Sequence, residues 1–401
     1  MVKFEQTFKA VDLILITSGI PSCSSFYPAS IKSALKRNAV FLIAFTLLLY
    51  TAFGELVYLV QMLQREFTFL EITFQAPCLG YCSIGLMKML ILAVKRNSIA
   101  GLVQTLQKYW YTSVRSIEHQ SICDEVMKPA IRFTTIVAVV NIVMGMAFTL
   151  LPIPEMIYHY TITGQWVRQL PFLIWWSFDV YAGFVYYFIY PLYIVIGFSG
   201  IIIHMGFDCL FCILAAHICV HFRILKHDLG NLTDLLDGTE NIIENRKKVN
   251  PKLYGIVEKH QIIEECHNRM NTIFNFALFY NFFVSSFIIC IQGFMVTAAS
   301  GYTLIKFALF LASFLVELFL LCFYGHHIVE SSILAAEAAY HCSWYNTNHQ
   351  FRTIVLQMIN KGQNPLTLMA WKIWPVDMST FASILSASWS YFTLLRTVYA
   401  D

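Results

Sequence analysis

Seven apolar stretches punctuate this chain, each long enough to cross a bilayer as a helix, and they decide what it can fold into. They run over about 39–62, 70–94, 132–153, 182–222, 275–298, 303–328 and 376–398, and are called S1 to S7. A chain of 401 residues could hold two or three soluble domains, but 58% hydrophobic and 13% charged residues describe an integral membrane protein instead. The expected fold class is therefore an all-α membrane protein with seven transmembrane helices. S4 is too long for one crossing: at 1.5 Å per residue it reaches roughly 60 Å, so its C-terminal part projects into water, and Pro191 is expected to kink its outer end.

Orientation follows from the basic residues. Twenty-two lysines and arginines fall before S1, between S2 and S3, between S4 and S5, and between S6 and S7. The opposite side holds Arg65, Arg168, Lys306 and Arg396, with Lys88 inside S2. The positive-inside rule puts the N-terminus in the cytosol and the C-terminus outside. The expected division is 1–38, a cytosolic N-terminal segment; 39–222, S1 to S4; 223–274, a cytosolic helical loop; 275–328, S5 and S6; 329–375, a second cytosolic helical segment; and 376–401, S7 with an extracellular C-terminus. In both cytosolic segments apolar positions recur at three and four residues, so each has a face to bury against another subunit or the extended S4. Phe4, Phe8, Val11 and Leu15 share that spacing and predict a short amphipathic helix against the inner membrane face. Asp12 interrupts the apolar run at 10–22, which argues against a cleavable signal.

This orientation excludes a G-protein-coupled receptor, which has seven spans of the opposite sense; S3 also ends in LLPIPE, not in an acidic-Arg-aromatic triplet. The net charge of +3 is small and scattered, so no nucleic-acid partner is implied. The eleven cysteines fall mostly in apolar helices or in segments assigned to the cytosol, and no disulfide framework is indicated. Cys209 and Cys212 lack a second pair for a metal site. His217 and His221 stand four apart, a metal-ligand spacing, but without the glutamate of a zinc-protease helix or a third ligand they are assigned as structural. No phosphate-cradling loop or nucleophile elbow is present, so neither an enzyme nor a cofactor is expected. The sequon at Asn231 to Thr233 falls on the cytosolic side, where it would stay unused.

S7 is unusual. Ser383, Ser386, Ser390, Thr393 and Thr397 put a hydroxyl at every turn, with Leu394 and Val398 one turn apart beside them. Such a helix suits a water-filled path with an apolar narrowing; the plainer alternative is a terminal span with tolerated hydroxyls.

The end of S4 reads DCLFCILAAHICVHFRIL, with Asp208, Leu210, His217, Phe222 and Leu225. The end of S6 reads CFYGHHIVESS, with Cys322, Gly325 and Ser331 or Ser332, followed by Ala339-Tyr340, Trp344 and SYFTLL at 390–395. In this order, on an inverted seven-span chain, these elements resemble the insect odorant receptors of the ligand-binding (tuning) type. The resemblance implies an odorant-gated, non-selective cation channel of four subunits in the plasma membrane of a sensory neuron dendrite. A tuning subunit would join the shared co-receptor in a heterotetramer, with S7 lining the pore and the cytosolic helices forming an anchor. Related gustatory receptors carry Thr-Tyr and Gln-Phe in S7; here Ser390 precedes Tyr391 and Arg396 breaks the apolar run. A gustatory-type channel is the alternative. A secondary transporter is a more distant one, since seven spans do not divide into two repeats.

The pore and gate candidates are Ser386, Ser390, Tyr391, Leu394, Thr397 and Val398, with Leu394 and Val398 as an apolar ring that excludes water. The family resemblance puts the pocket for a small volatile ligand in the outer half, among S2, S3, S4 and S6. The candidates there are Phe74 and Tyr81 on S2, Val140, Met144 and Phe148 on S3, Tyr187, Tyr190 and Tyr193 on S4, and Phe310 and Phe314 on S6. Of the ionisable residues inside spans, Lys88 and Asp208 are expected to pair, Glu317 has no evident partner, and Glu55 lies nearer the outer face. The partners implied are the co-receptor, an odorant and membrane lipid.

Overall fold

The computed structural model describes residues 2–20, 31–65, 69–114, 116–237 and 242–399. Among them are eleven α-helices: α1 Phe4–Thr17, α2 Ile31–Leu63, α3 Phe69–Val94, α4 Arg96–Ser113, α5 Ile117–Leu150, α6 Pro152–Thr163, α7 Val185–Asp237, α8 Ile242–Ala298, α9 Gly301–His341, α10 His349–Gly362 and α11 Met378–Tyr399. S1 to S7 lie in α2, α3, α5, α7, α8, α9 and α11. Six of these, all but α11, are long and apolar enough to cross a membrane among the described residues. At 22 residues α11 reaches about 33 Å, also enough to cross, but its hydroxyls lower its hydropathy.

The central post is α7. Every residue from Ile201 to Phe222 is buried, which a helix apolar on all sides requires. It packs against α9, α5, α8, α1 and α3. Its 53 residues span about 80 Å, so the helix projects well past a bilayer, with Pro191 inside its first turns.

The two segments expected to be helical between spans prove continuous with spans, and one expectation needs correction. Within 223–274, α8 runs unbroken from Ile242 through S5 to Ala298. Val249, Leu253, Ile256, Ile263, Cys266, Met270 and Ile273 are buried along it, so the apolar stripe that needs a partner never stops at the membrane boundary. Likewise α9 carries S6 on to His341 through the alanine-rich run. The amphipathic helix exists as α1, but its apolar face meets protein rather than lipid. Phe4 and Phe8 bracket His217 of α7, at ring distances of 4.8 and 5.3 Å, and Trp110 of α4 closes the cluster at 5.2 Å. Thr7 Oγ1 and His217 Nε2 share a 2.9 Å hydrogen bond, which fixes the structural role of that histidine.

A small antiparallel hairpin leads into α11, pairing β1 (Met369–Ala370) with β2 (Trp374–Pro375). Its turn puts Trp371 and Lys372 at φ of 48° and 59°, with Ile373 N–H donating to the Ala370 carbonyl at 3.0 Å. That is the primed turn that matches strand twist, built here without glycine. Beside it α9 comes so close to the chain that a Cβ on Gly325 would stand 2.0 Å from the Val376 carbonyl oxygen.

Candidate functional site

Between α2, α3, α5, α7 and α9 lies a buried cavity of about 80 Å³. That is less than the ~150 Å³ known to take up a benzene ring, so a ring-sized guest has to displace side chains. The segment between α6 and α7 folds back over it. Trp175 N–H donates to the Gly54 carbonyl at 3.1 Å, and Phe172 lines the cavity.

Of the ten ligand candidates, Tyr81, Met144, Phe148 and Phe310 line this cavity. Phe314 stands behind them, edge-on to Tyr81 at 5.9 Å and to Phe310 at 5.2 Å. Tyr190 and Tyr193 belong to an adjoining cluster; Tyr190 donates to the Thr149 carbonyl at 3.0 Å, and Tyr193 accepts from the Trp176 indole at 3.1 Å. Phe74 lies to the other side, edge-on to Phe307, with the Lys306 ammonium 4.6 Å from its ring centre. Val140 and Tyr187 are exposed on the outer surface of the bundle and fall outside the cavity. Glu55 on α2, noted in the sequence as an ionisable residue near the outer face but not as a ligand contact, also lines it, as do Asn141, Ser313 and His204, which sequence reasoning passed over. A lone polar residue inside an apolar run is the signal each of them carried.

The floor is a charged cluster. Lys88 Nζ donates to Asp208 at 2.7 and 2.9 Å and to Glu317 at 2.7 Å, all three buried. The Lys88–Asp208 pair was legible from the sequence; Glu317 joins it as a second anion. Asn281 of α8 donates to Glu317 at 2.7 Å and accepts from Ser285 at 2.8 Å. His204 lies flat against Tyr81, ring centres 4.1 Å apart, and its Nδ1 approaches Glu317 at 3.6 Å. Four helices thus meet at one buried cation, and two of its neighbours, Glu317 and His204, also face the cavity.

Helix α11 packs through Ile384, Ser388 and Phe392, which are buried; Ser388 donates to the Ser286 carbonyl of α8 at 3.2 Å. The opposite face holds Ser386, Ser390, Tyr391, Leu394 and Thr397, all exposed in the single chain. The side chain of Val398 lies outside the described residues. Ser390 donates to the Ser386 carbonyl at 3.0 Å and Thr397 to that of Leu394 at 2.8 Å, so these hydroxyls satisfy themselves on their own helix and keep oxygen lone pairs facing outward.

A helical bundle built on a buried central helix, with six helices long and apolar enough to cross a membrane among the described residues and a cavity between them, is the architecture of an integral membrane protein. Residues 68–389 match the 7tm Odorant receptor family, and the chain belongs to it. Among relatives from Drosophila melanogaster, putative odorant receptor 92a is 24% identical over 349 residues, covering 86% of this chain and 84% of its own. Odorant receptor 22c is 27% identical over 371 residues, covering 90% and 89%. The fold is that of the insect olfactory receptor OR5 from Machilis hrabei, solved in complex with eugenol, with a TM-score of 0.78 at 18% identity over 98% of each chain.

Proposed function

We propose that this chain is the ligand-binding subunit of an odorant-gated, non-selective cation channel. In this reading the N-terminus is cytosolic, the C-terminus extracellular, and four subunits, this chain with the odorant receptor co-receptor, surround one pore in the plasma membrane. The single observation that carries the reading is the two-faced α11. One side is packed on α8, and the other exposes hydroxyls and Leu394 with nothing among the described residues to cover them. Such a face is stable when copies gather around water, with Leu394 as the apolar constriction and Ser386, Ser390 and Thr397 along the path.

The ligand, a small volatile molecule comparable in size to the eugenol held by the Machilis receptor, would occupy the cavity at Tyr81, Met144, Phe148 and Phe310. The cavity is smaller than a ring, so binding shifts the population toward a wider form. Glu317 and His204 stand on that wall, and Glu317 is bonded through Asn281 to α8, the helix against which α11 packs. This gives the ligand a mechanical path to the pore. Whole-cell recording of the chain with and without the co-receptor, against an odorant panel, tests the reading. Odorant-evoked cation current that requires this chain supports it, and solute uptake without current would overturn it in favour of a transporter.

A further inference from the structure

Glu55 is the least accounted-for residue in the cavity. It sits in the last third of α2, is 1% exposed, and lines the cavity beside Cys78 and Cys82. Among the described residues its Oε2 has no hydrogen-bond partner. Neither buried cation of the region serves it. Lys88 is held between Asp208 and Glu317, and Lys306 donates to the Pro171 carbonyl while lying over Phe74 and Phe148. Leaving a carboxyl group buried with an oxygen unbonded is costly, and a group kept in that condition is one that a guest can satisfy. The rest of the wall is mainly apolar and aromatic, so the carboxyl stands out as a handle near the S1 side of the cavity.

Resting on the reading of this cavity as the odorant pocket, we propose that it selects ligands bearing a hydrogen-bond-donating head group, an alcohol or an amine, which Glu55 Oε2 receives. The body of the ligand lies among Phe148, Phe172 and Phe310. A site built around a polar group discriminates strongly against analogues that lack the matching partner, whereas an apolar wall discriminates weakly between molecules of equal size. The preference is therefore for head-group chemistry first and chain length second. An ammonium head would add attraction to the ring faces, so the amine arm gains from both features.

The test uses two sets of matched probes. One is ethylbenzene, anisole, benzyl alcohol and benzylamine; the other is heptane, 1-hexanol and hexylamine. Binding is read as ligand-dependent thermal stabilisation of the purified full chain, which needs no current. The expected result is that an alcohol or amine binds about tenfold or more tightly than its hydrocarbon or ether counterpart in at least one set. Glu55→Leu removes that preference while leaving hydrocarbon binding in place. Glu55→Gln, which retains a carbonyl acceptor and the same shape, keeps the alcohol and loses the amine. Equal binding across each set, a preference that survives Glu55→Leu, or no binding by any donor-bearing probe overturns the proposal. Failure of the channel reading is seen separately, as absence of odorant-evoked current in cells that also express the co-receptor.

Discussion

Helices α7 and α11 are the two extremes of this molecule. The first is wrapped on every side by its own chain from Ile201 to Phe222; the second is covered along one stripe, Ile384, Ser388 and Phe392, and open on the other. Two buried polar side chains on α7 are met by other helices of the chain, Asp208 by Lys88 and His217 by Thr7. Among the described residues, Ser390 and Thr397 on the open face of α11 are answered by their own helix backbone. A fold can thus be finished along one axis and left open along another, and in the proposed reading the open side is the one that other subunits cover. The strongest way to break this contrast is to unbalance α7. Lys88→Met leaves Asp208 and Glu317 buried without their cation, which costs about 3–5 kcal/mol. The unfolding midpoint of the purified chain should fall sharply, and Asp208→Asn in the same chain should recover part of the loss. An unchanged midpoint would mean that the cluster is not a structural tie.

A second effect, of a size with loss of one buried side chain, falls where the two regimes meet. At Gly325 a methyl group would collide with the Val376 carbonyl oxygen, and backbone at that point is held by the Val376 N–H to Leu368 carbonyl bond of 2.8 Å. Gly325→Ala should cost about 1–3 kcal/mol and displace the start of α11, seen as reduced surface expression and a lowered midpoint.

The faces of α11 then separate cleanly. Ile384→Ala removes buried packing and should destabilise the chain by roughly 2–3 kcal/mol, whereas Leu394→Ala, on the exposed face, should leave the midpoint of the isolated chain unchanged. Its effect should appear in current, as a leak without odorant or a shifted response in whole-cell recording. If Leu394→Ala instead destabilises the single chain and leaves currents intact, the open face is not the pore.

How much of this was readable in advance follows the same contrast. The spans and the two-sided α11 were legible because both rest on local periodicity. Lys88 with Asp208 was legible because isolated opposite charges in apolar helices require each other. Glu317 was not, since its cation, Lys88, already had Asp208 as an evident partner, and its other donor, Asn281, is uncharged and on another helix. Val140 and Tyr187 share the helical spacing of Met144 and Tyr190, yet they face outward. Lipid-facing and cavity-facing residues are both apolar, so periodicity finds a face without saying which way it turns. The helical segments between S4 and S5 and after S6 were legible from apolar positions at three and four residues; their unbroken join to S5 and S6 was not, because hydropathy marks where lipid ends, whereas a helix ends where its capping and packing do.

The gentlest probe tests how α7 is covered where α1 docks against His217. Tyr111 on α4 donates to Glu5 of α1 at 2.6 Å. That bond holds the Glu5 carboxyl below its usual range and pushes the Tyr111 phenol up to about 12. The folded-state pKa of Glu5 is lowered, so its contribution is present above the unfolded value of about 4.3 and is lost as pH falls through the folded one. The pair is exposed, so the effect on global stability is small. Its readout is local: hydrogen exchange of the α1 amides should be flat through neutral pH and rise below about pH 4. Tyr111→Phe should move that rise toward higher pH, closer to the ordinary glutamate value. A rise that stays in place in Tyr111→Phe would mean that α1 is held by Phe4, Phe8 and His217 alone.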